Sequence, residues 1–491
     1  MKRVADSLLP PIALDAAGGI PIYRQLSDWL RRAIVDGQLR PGQRLPSTRA
    51  LAGELAVSRL PVLSAYEQLQ AEGYLETFTG SGTCVAAAIP LGMAAPSPRA
   101  RGKAAVVAPS PDRRLAARAA AMAPTEQTWL ESQGAFRIGL PALDAFPLDT
   151  WARLLSRHAH RAGTDALVYG DALGYLPLRE AIADYLRTVR AVRADAAQIM
   201  ITGGAQHGLQ ICVHALLDPG DSAWMEEPGY PGAYQALATV GARTVQVPVD
   251  DDGLDVAEGI RRGADARLVY TTPSHQFPLG VTMSAARRMQ LLQWAAREGR
   301  WIVEDDYDGE YRFGGKPVAS LQGLDTDARV IYAGTFSKVM FPALRLGYLV
   351  LPNDLVPAFR AVRDALDTCS ATLPQRAMTD FIREGHFARH IRRTRVLYAI
   401  RRAALLESIE HHLPGRLQVI GAEAGMQLTA LLPDEVDDVA LSRRAAGVGV
   451  SIRPLSPCYR GPQRRNGMIL GYGAVDGPTI DEGIRRLKRC L

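Results

Sequence analysis

Long apolar runs are missing from this chain of 491 residues: none approaches the roughly 20 consecutive residues that a membrane-spanning helix needs. The opening stretch MKRVADSLLPPIALDAAGG is basic, but its apolar part is short and broken by two prolines, so a signal peptide is not expected. Cysteine is sparse. The five present (Cys84, Cys212, Cys369, Cys458 and Cys490) are scattered, with no CxxC pair and no metal-ligand spacing. That argues against a disulfide framework, predicts no metal site and favours a reducing, cytoplasmic setting. Most of the chain also lacks any excess of charge. Residues 1–125 carry 15 Lys and Arg against 9 Asp and Glu, and the rest carries 42 of each sign, so the whole net charge of +6 sits in the first quarter. A basic end on a neutral body is what attraction to nucleic acid requires, although charge alone would equally suit a solubilising tail.

What is there is enough for more than one core. Hydrophobic residues make up 47% and charged residues 22%, the balance of an ordinary globular protein, and the length calls for two or more domains. Residues 20–88 read as three helices and a hairpin. Ile22, Leu26, Trp29, Leu30, Ala33 and Ile34 recur at helical spacing until Gly37. In LRPGQRLPSTRALAGELAVSR, Pro41-Gly42 marks a turn and Ser47 is placed to cap a second helix. Ser58 is placed to cap a third, with Pro61 tolerated in its first turn and Val62, Ala65, Tyr66 and Leu69 facing inward. YLETFTGSGTCVA then predicts two short strands around Gly80-Ser81-Gly82.

These motifs resemble the winged helix-turn-helix of the GntR family, over most of residues 20–86. The resemblance implies binding of double-stranded DNA, with Arg49, Ser58 and Arg59 at phosphates and base edges and Gly82 where the wing tip nears the minor groove. Arginine suits guanine edges through two parallel hydrogen bonds, and helix N-termini suit phosphates. Pro61 and Leu63 depart from the family pattern, which points to a different base preference. Residues 89–125, rich in Ala, Pro and Arg, read as a linker.

From 126 to 491, apolar runs alternate with helical patterns: QIMIT, SAWMEE, RTVQVPV, RLVYTTP, RWIVEDD and RVIYAG all read as strands. That alternation predicts an α/β domain with a largely parallel sheet, whose ligands gather at the carboxyl ends of its strands. The chemistry-bearing residues lie just past such ends. After RVIYAG come Thr335, Ser337, Lys338 and Arg345; after WIVEDD comes Tyr307; after QIMIT, Gly203-Gly204-Ala205-Gln206 opens a helix able to cradle a phosphate. Lys338 can condense with an aldehyde if desolvation lowers its pKa. A carboxylate at Asp305 or Asp306 can pair with a pyridine nitrogen, and Tyr230, in EEPGYPGAY, can stack on an aromatic ring. Each of these features alone is weak, since lysines are mostly surface charges and Gly-rich turns are common. Their order and spacing together carry the reading.

Nearly all of residues 130–491 resembles the fold type I aminotransferases that use pyridoxal 5′-phosphate (PLP), with further matches in YGDALGYLPLREAIADYL and TPSHQFPLG. By that resemblance Lys338 is the Schiff-base lysine, Asp305 the partner of the pyridine nitrogen and Tyr307 that of the 3-oxygen. Gly204, Ala205, Gln206, Thr335, Ser337 and Arg345 would then form the phosphate cup. The fusion as a whole is similar to the MocR subfamily of GntR regulators, which implies a PLP-dependent transcription regulator forming head-to-tail homodimers. Two positions depart from the enzymes. Phe277 stands where they carry an asparagine, and Ile469 where they carry the arginine for the substrate carboxylate; Arg453 is a candidate substitute. The expectation is therefore a sensor of an amine or amino-acid effector, or of PLP itself, through the Lys338 aldimine. The alternative is a working aminotransferase with an appended DNA-binding module.

Overall fold

The computed structural model describes residues 9–10, 12–15, 19–78, 82–87, 116–122, 133–314, 319–462 and 464–491. It divides into two units, Met1–Arg114 and Leu115–Leu491. The linker read at 89–125 lies largely outside the described residues, as do Gly80 and Ser81 of the wing. Residues Ala117–Ala121, inside that stretch, form a short helix.

In the first unit, α1 (Ile22–Val35), α2 (Thr48–Glu54) and α3 (Arg59–Ala71) precede a hairpin of β1 (Leu75–Phe78) and β2 (Gly82–Val85). The strands pair antiparallel, Leu75 opposite Val85 and Phe78 opposite Gly82. Leu26, Leu30, Leu51, Val62 and Leu69 meet in one core with no exposure at all. Each such aliphatic side chain contributes about 2 kcal/mol by leaving water. The two serine caps differ: Ser47 Oγ accepts from Ala50 N at 3.2 Å, whereas Ser58 occupies the cap position of α3 without a capping bond.

The second unit is built on an eight-stranded sheet in the order β3-β10-β9-β8-β7-β4-β5-β6. Its strands are β3 (Ile199–Thr202), β4 (Ser222–Glu227), β5 (Arg243–Asp250), β6 (Gly253–Leu254), β7 (Leu268–Thr271), β8 (Trp301–Asp306), β9 (Val330–Thr335) and β10 (Gly347–Val350). All six runs read as strands are strands. Pairings β5–β4–β7–β8–β9 are parallel, and β10 is antiparallel to both β9 and β3. β10 was not expected from the pattern. The segment joining it to β9 is too short for a parallel crossover, which needs roughly a dozen residues or more, so the chain turns straight back. Both sheet faces are covered: Ile199 and Ile201 pack into one core and Met200 into another. A second, antiparallel sheet runs β11 (Gln418–Ile420), β12 (Gln427–Leu431), β14 (Gly467–Gly471), β13 (Arg453–Pro454). The carboxyl ends of β3, β4, β7, β8 and β9 all lie along one edge of the large sheet.

Candidate functional site

Strand alternation sorts the three acids at the end of β8. Glu304 and Asp306 turn to one face. Glu304 accepts from Leu321 N and Gln322 N, both at 2.9 Å. Asp306 Oδ2 accepts from Arg190 Nε at 2.8 Å and Tyr332 Oη at 2.6 Å, with a further Arg190 contact. Asp305 turns the other way. Its Oδ2 accepts from Tyr270 Oη at 2.8 Å, but its Oδ1 is buried without a partner. Burial pushes the Asp305 carboxyl up to about 7, partly offset by the Tyr270 hydrogen bond. An orphaned oxygen on a buried acid is costly unless something donates to it.

Lys338 lies in the turn after β9, half-buried, and its Nζ donates to Gly139 O at 3.1 Å. Burial lowers its pKa from the usual lysine value; the Arg453 charge acts in the same direction, and Asp308 and Asp305 oppose it. An amine so placed spends more of its time neutral and nucleophilic. Thr335, at the end of β9, is buried and shapes the turn by accepting from Ser337 N at 3.2 Å.

Across β10, the helix Ala205–Leu216 starts at Gly204, whose φ of 101° and ψ of 175° suit glycine alone. A Cβ there would also stand 3.2 Å from Arg345 Nη1, so the guanidinium lies directly against the helix start. The first-turn N–H groups and this exposed cation make a place for a dianion. Gln206 contributes backbone only, because its side chain donates to Gly232 O at 2.8 Å.

Aromatic rings line the remaining side. Tyr230 and Tyr307 meet Phe277 edge-on, at 5.7 and 6.4 Å between centroids. Phe277 packs with Ile138, Cys458 and Ile469. The two positions that depart from the enzyme pattern, Phe277 and Ile469, thus belong to one apolar cluster. Arg453 is paired in register with Ile469, and its guanidinium carbon lies 5.4 Å from the Phe277 ring centre. Glu226, fully buried, accepts from Thr271, Thr272 and Gln276, and Thr272 Oγ1 accepts from Phe277 N at 2.9 Å, which fixes the Phe277 turn.

Sequence reasoning missed His275, Asp308, Tyr270 and Gly139. Their separation along the chain leaves no local signal. His275 Nδ1 lies 3.1 Å from each Asp308 oxygen and 3.1 Å from Tyr307 Oη.

In the first unit, Arg49 on α2 and Ser58 and Arg59 at the start of α3 are all exposed, with Arg59 Nε donating to Thr48 Oγ1 at 3.2 Å. Gly82 is exposed at the start of β2 with φ +85°, and Arg44, another missed residue, places its Nε 3.4 Å from where a Cβ on Gly82 would be. Leu60, 69% exposed, stands beside them.

Residues 22–85 match the family model for bacterial regulatory proteins of the gntR family, and residues 136–465 match that for aminotransferase class I and II. The probable rhizopine catabolism regulatory protein MocR of Rhizobium meliloti is 42% identical over 97% of this chain and 95% of its own. The HTH-type pyridoxine biosynthesis transcriptional regulator PdxR of Corynebacterium glutamicum is 32% identical over 96% of each chain. Among solved structures, the kynurenine aminotransferase of Pyrococcus horikoshii, determined with PMP, superposes with a TM-score of 0.71 at 32% identity, covering 77% of this chain and 96% of that one.

Proposed function

Because the chain belongs to the MocR-type regulators of the GntR family, with a helix-turn-helix unit joined to an aminotransferase class I and II body, we propose that it is a cytoplasmic PLP-dependent transcription regulator. Residues 89–125 act as the tether between its DNA-reading domain, 20–88, and its effector domain, 126–491.

The pocket suits PLP at each of its parts. Asp305 Oδ1, buried and without a donor, would receive the pyridine N–H, and this is the observation that carries the reading. Asp306 also has an unpartnered oxygen, Oδ1, but it turns to the opposite face of the sheet and its Oδ2 is held by Arg190 and Tyr332, so it is the poorer partner. The start of the helix at Gly204, with Ala205, Gln206, Thr335, Ser337 and Arg345, would hold the phosphate, and Tyr230 would face the ring. PLP supplies an aldehyde that condenses with amines. Lys338, with its charge disfavoured, is the group that would hold that aldehyde and yield it to an incoming amine. Tyr307 would donate to the 3-oxygen.

The signal is an amine or amino acid, or PLP itself. Arg453 is the effector's anion partner in this reading, since its neighbour across the ladder, Ile469, cannot be. The apolar cluster at Phe277 and Ile469 weighs against efficient transamination while leaving cofactor binding intact. Arg44, Arg49, Ser58, Arg59 and Gly82 face the operator. The reading includes a head-to-tail homodimer, and the exposed run Leu167, Val168 and Tyr169, at 80%, 64% and 85% exposure, supports a partner surface on the second unit. Effector binding shifts the two DNA-reading units between arrangements of different operator affinity.

The test is a joint titration: purified protein receives amines, amino acids or PLP while its visible spectrum and its affinity for upstream DNA are followed together. One ligand should perturb both. A Lys338→Ala protein that regulates as the natural one does would defeat the reading.

A further inference from the structure

His275 is buried, 33 residues before Asp308 in the chain but in contact with it. Its Nδ1 stands 3.1 Å from both Asp308 oxygens and from the Tyr307 hydroxyl, and its Nε2 faces Gly421 O at 3.5 Å. The loop between β11 and β12 closes over this pair: a side chain at Gly425 would run into both His275 and Asp308.

A ring nitrogen carries one proton. With two carboxylate oxygens against Nδ1, that proton stays on the nitrogen and is donated to Asp308. The Tyr307 oxygen beside it is then left as an acceptor, so its own hydrogen cannot point at the imidazole. Phe277, edge-on to Tyr307, offers no acceptor either. The remaining direction is the pocket. We propose that His275, clamped by Asp308, is a positioning residue that aims the Tyr307 hydroxyl as a donor into the cofactor pocket, replacing the orienting contact that a polar side chain at position 277 would give. This rests on the reading of the pocket as a PLP site.

The electrostatics agree. Burial opposes a charged imidazole, but the charge and hydrogen bond of Asp308 carry the His275 pKa above the usual histidine value. The charged or titratable groups facing His275 are Asp308, Tyr307 and, at longer range, Arg312; those facing Lys338 are Asp305, Asp308 and Arg453.

A donor on the 3-oxygen of PLP weakens that oxygen's hold on the proton it shares with the attached lysine nitrogen, and so lowers the pH at which the visible band changes. The experiment is a pH titration of that band in the full-length, PLP-loaded protein. Asp308→Asn lets His275 become neutral and accept from Tyr307, turning the hydroxyl away from the pocket. The midpoint should then rise by about 1 pH unit, the worth of one charge-assisted hydrogen bond. Loss of the Asp308 charge acting directly on the lysine nitrogen would move the midpoint down, so the two explanations differ in sign. Adding Phe277→Asn to Asp308→Asn should return the midpoint toward its original value, and Asp308→Asn should add nothing in a Tyr307→Phe background. His275→Leu, which removes the group that occupies Asp308 and aims Tyr307, gives an independent reading, with the same upward shift expected. A midpoint that stays or falls in these variants at full PLP content overturns the assignment of His275. A natural protein with no visible band when given PLP sinks the site reading itself, and this inference with it.

Discussion

In the first unit the groups offered to a partner are exposed and sparingly tied: Arg49, Ser58 and Arg59 stand in water, and Ser58 does not even cap its own helix. In the second unit Asp305 is withdrawn from water and Lys338 half so, while Arg345 stays exposed, and neighbouring groups hold the buried ones in place. Asp305 is anchored by Tyr270, Lys338 rests on the Gly139 carbonyl, and the Phe277 turn hangs from Glu226. A surface that meets a polyanion gains from charge and can adapt on contact. A pocket that must change the protonation of an amine needs its charges fixed beforehand, in a place where each counts for more.

The contrast between the two units sets five expected outcomes. The largest is total: Lys338→Ala should remove the pyridoxyl tag that borohydride reduction leaves on the protein, as read by peptide mass mapping, while ligand-free DNA affinity stays put. A tag on another lysine would unseat the pocket as described. Next, Asp306→Ala removes the ion-pair partner of the buried Arg190 and should cost about 3–5 kcal/mol in urea unfolding. Asp305→Asn should cost no stability, and should gain some at neutral pH and above, where the natural acid is forced to ionise in a buried place, yet lose PLP faster on dialysis. If the two acids exchange these phenotypes, the assignment of Asp305 is wrong.

Third, Arg59→Ala should weaken operator binding by about 1–3 kcal/mol if it meets a base edge. Its unfolding midpoint should barely move, and a residue serving only the fold would behave in the opposite way. Fourth, the PLP-free protein should lose stability as pH rises. Asp305, pushed up to about 7, stays protonated in the fold where the unfolded chain, with its carboxyls near 4, has already released the proton. The folded state binds more protons between those values, so stability falls across that window and levels off above it. Asp305→Asn should remove up to about 1.4 kcal/mol per pH unit of that slope. Glu304 and Glu310, also pushed up to about 7, add slope in both proteins and cancel in the difference. Smallest is the serine pair: Ser47→Ala should cost about 1 kcal/mol of stability through its lost cap. Ser58→Ala should cost almost none and instead weaken DNA binding.

That pair also marks how far sequence reasoning reaches. Both serines precede a helical pattern and look alike as letters, and only the geometry distinguishes a cap from a free hydroxyl. The strands of the large sheet were legible because buried parallel strands read as short apolar runs ending in Gly or acidic residues. For the same reason the choice between Asp305 and Asp306 was not legible from the residues alone: a strand apolar on both faces has no polar alternation to say which side its last acid takes. β10 was hidden in the apolar stretch after Arg345, where only the shortness of the return from β9 dictates its direction. The pairings of His275 with Asp308, and of Arg453 with Ile469 and Phe277, depend on contacts between distant segments that carry no local pattern.

The placement of β10 has one more consequence. It lies between the strand that leads into the Gly204 helix and the strand that leads into the Lys338 turn, joined to both by hydrogen-bonded ladders. Two strand spacings together measure roughly 10 Å. The sheet therefore acts as a ruler between the two points where a phosphorylated aldehyde would be gripped, and its length cannot be altered without unzipping a ladder. Molecules carrying the same two functional groups on a longer or shorter frame would reach one grip and miss the other.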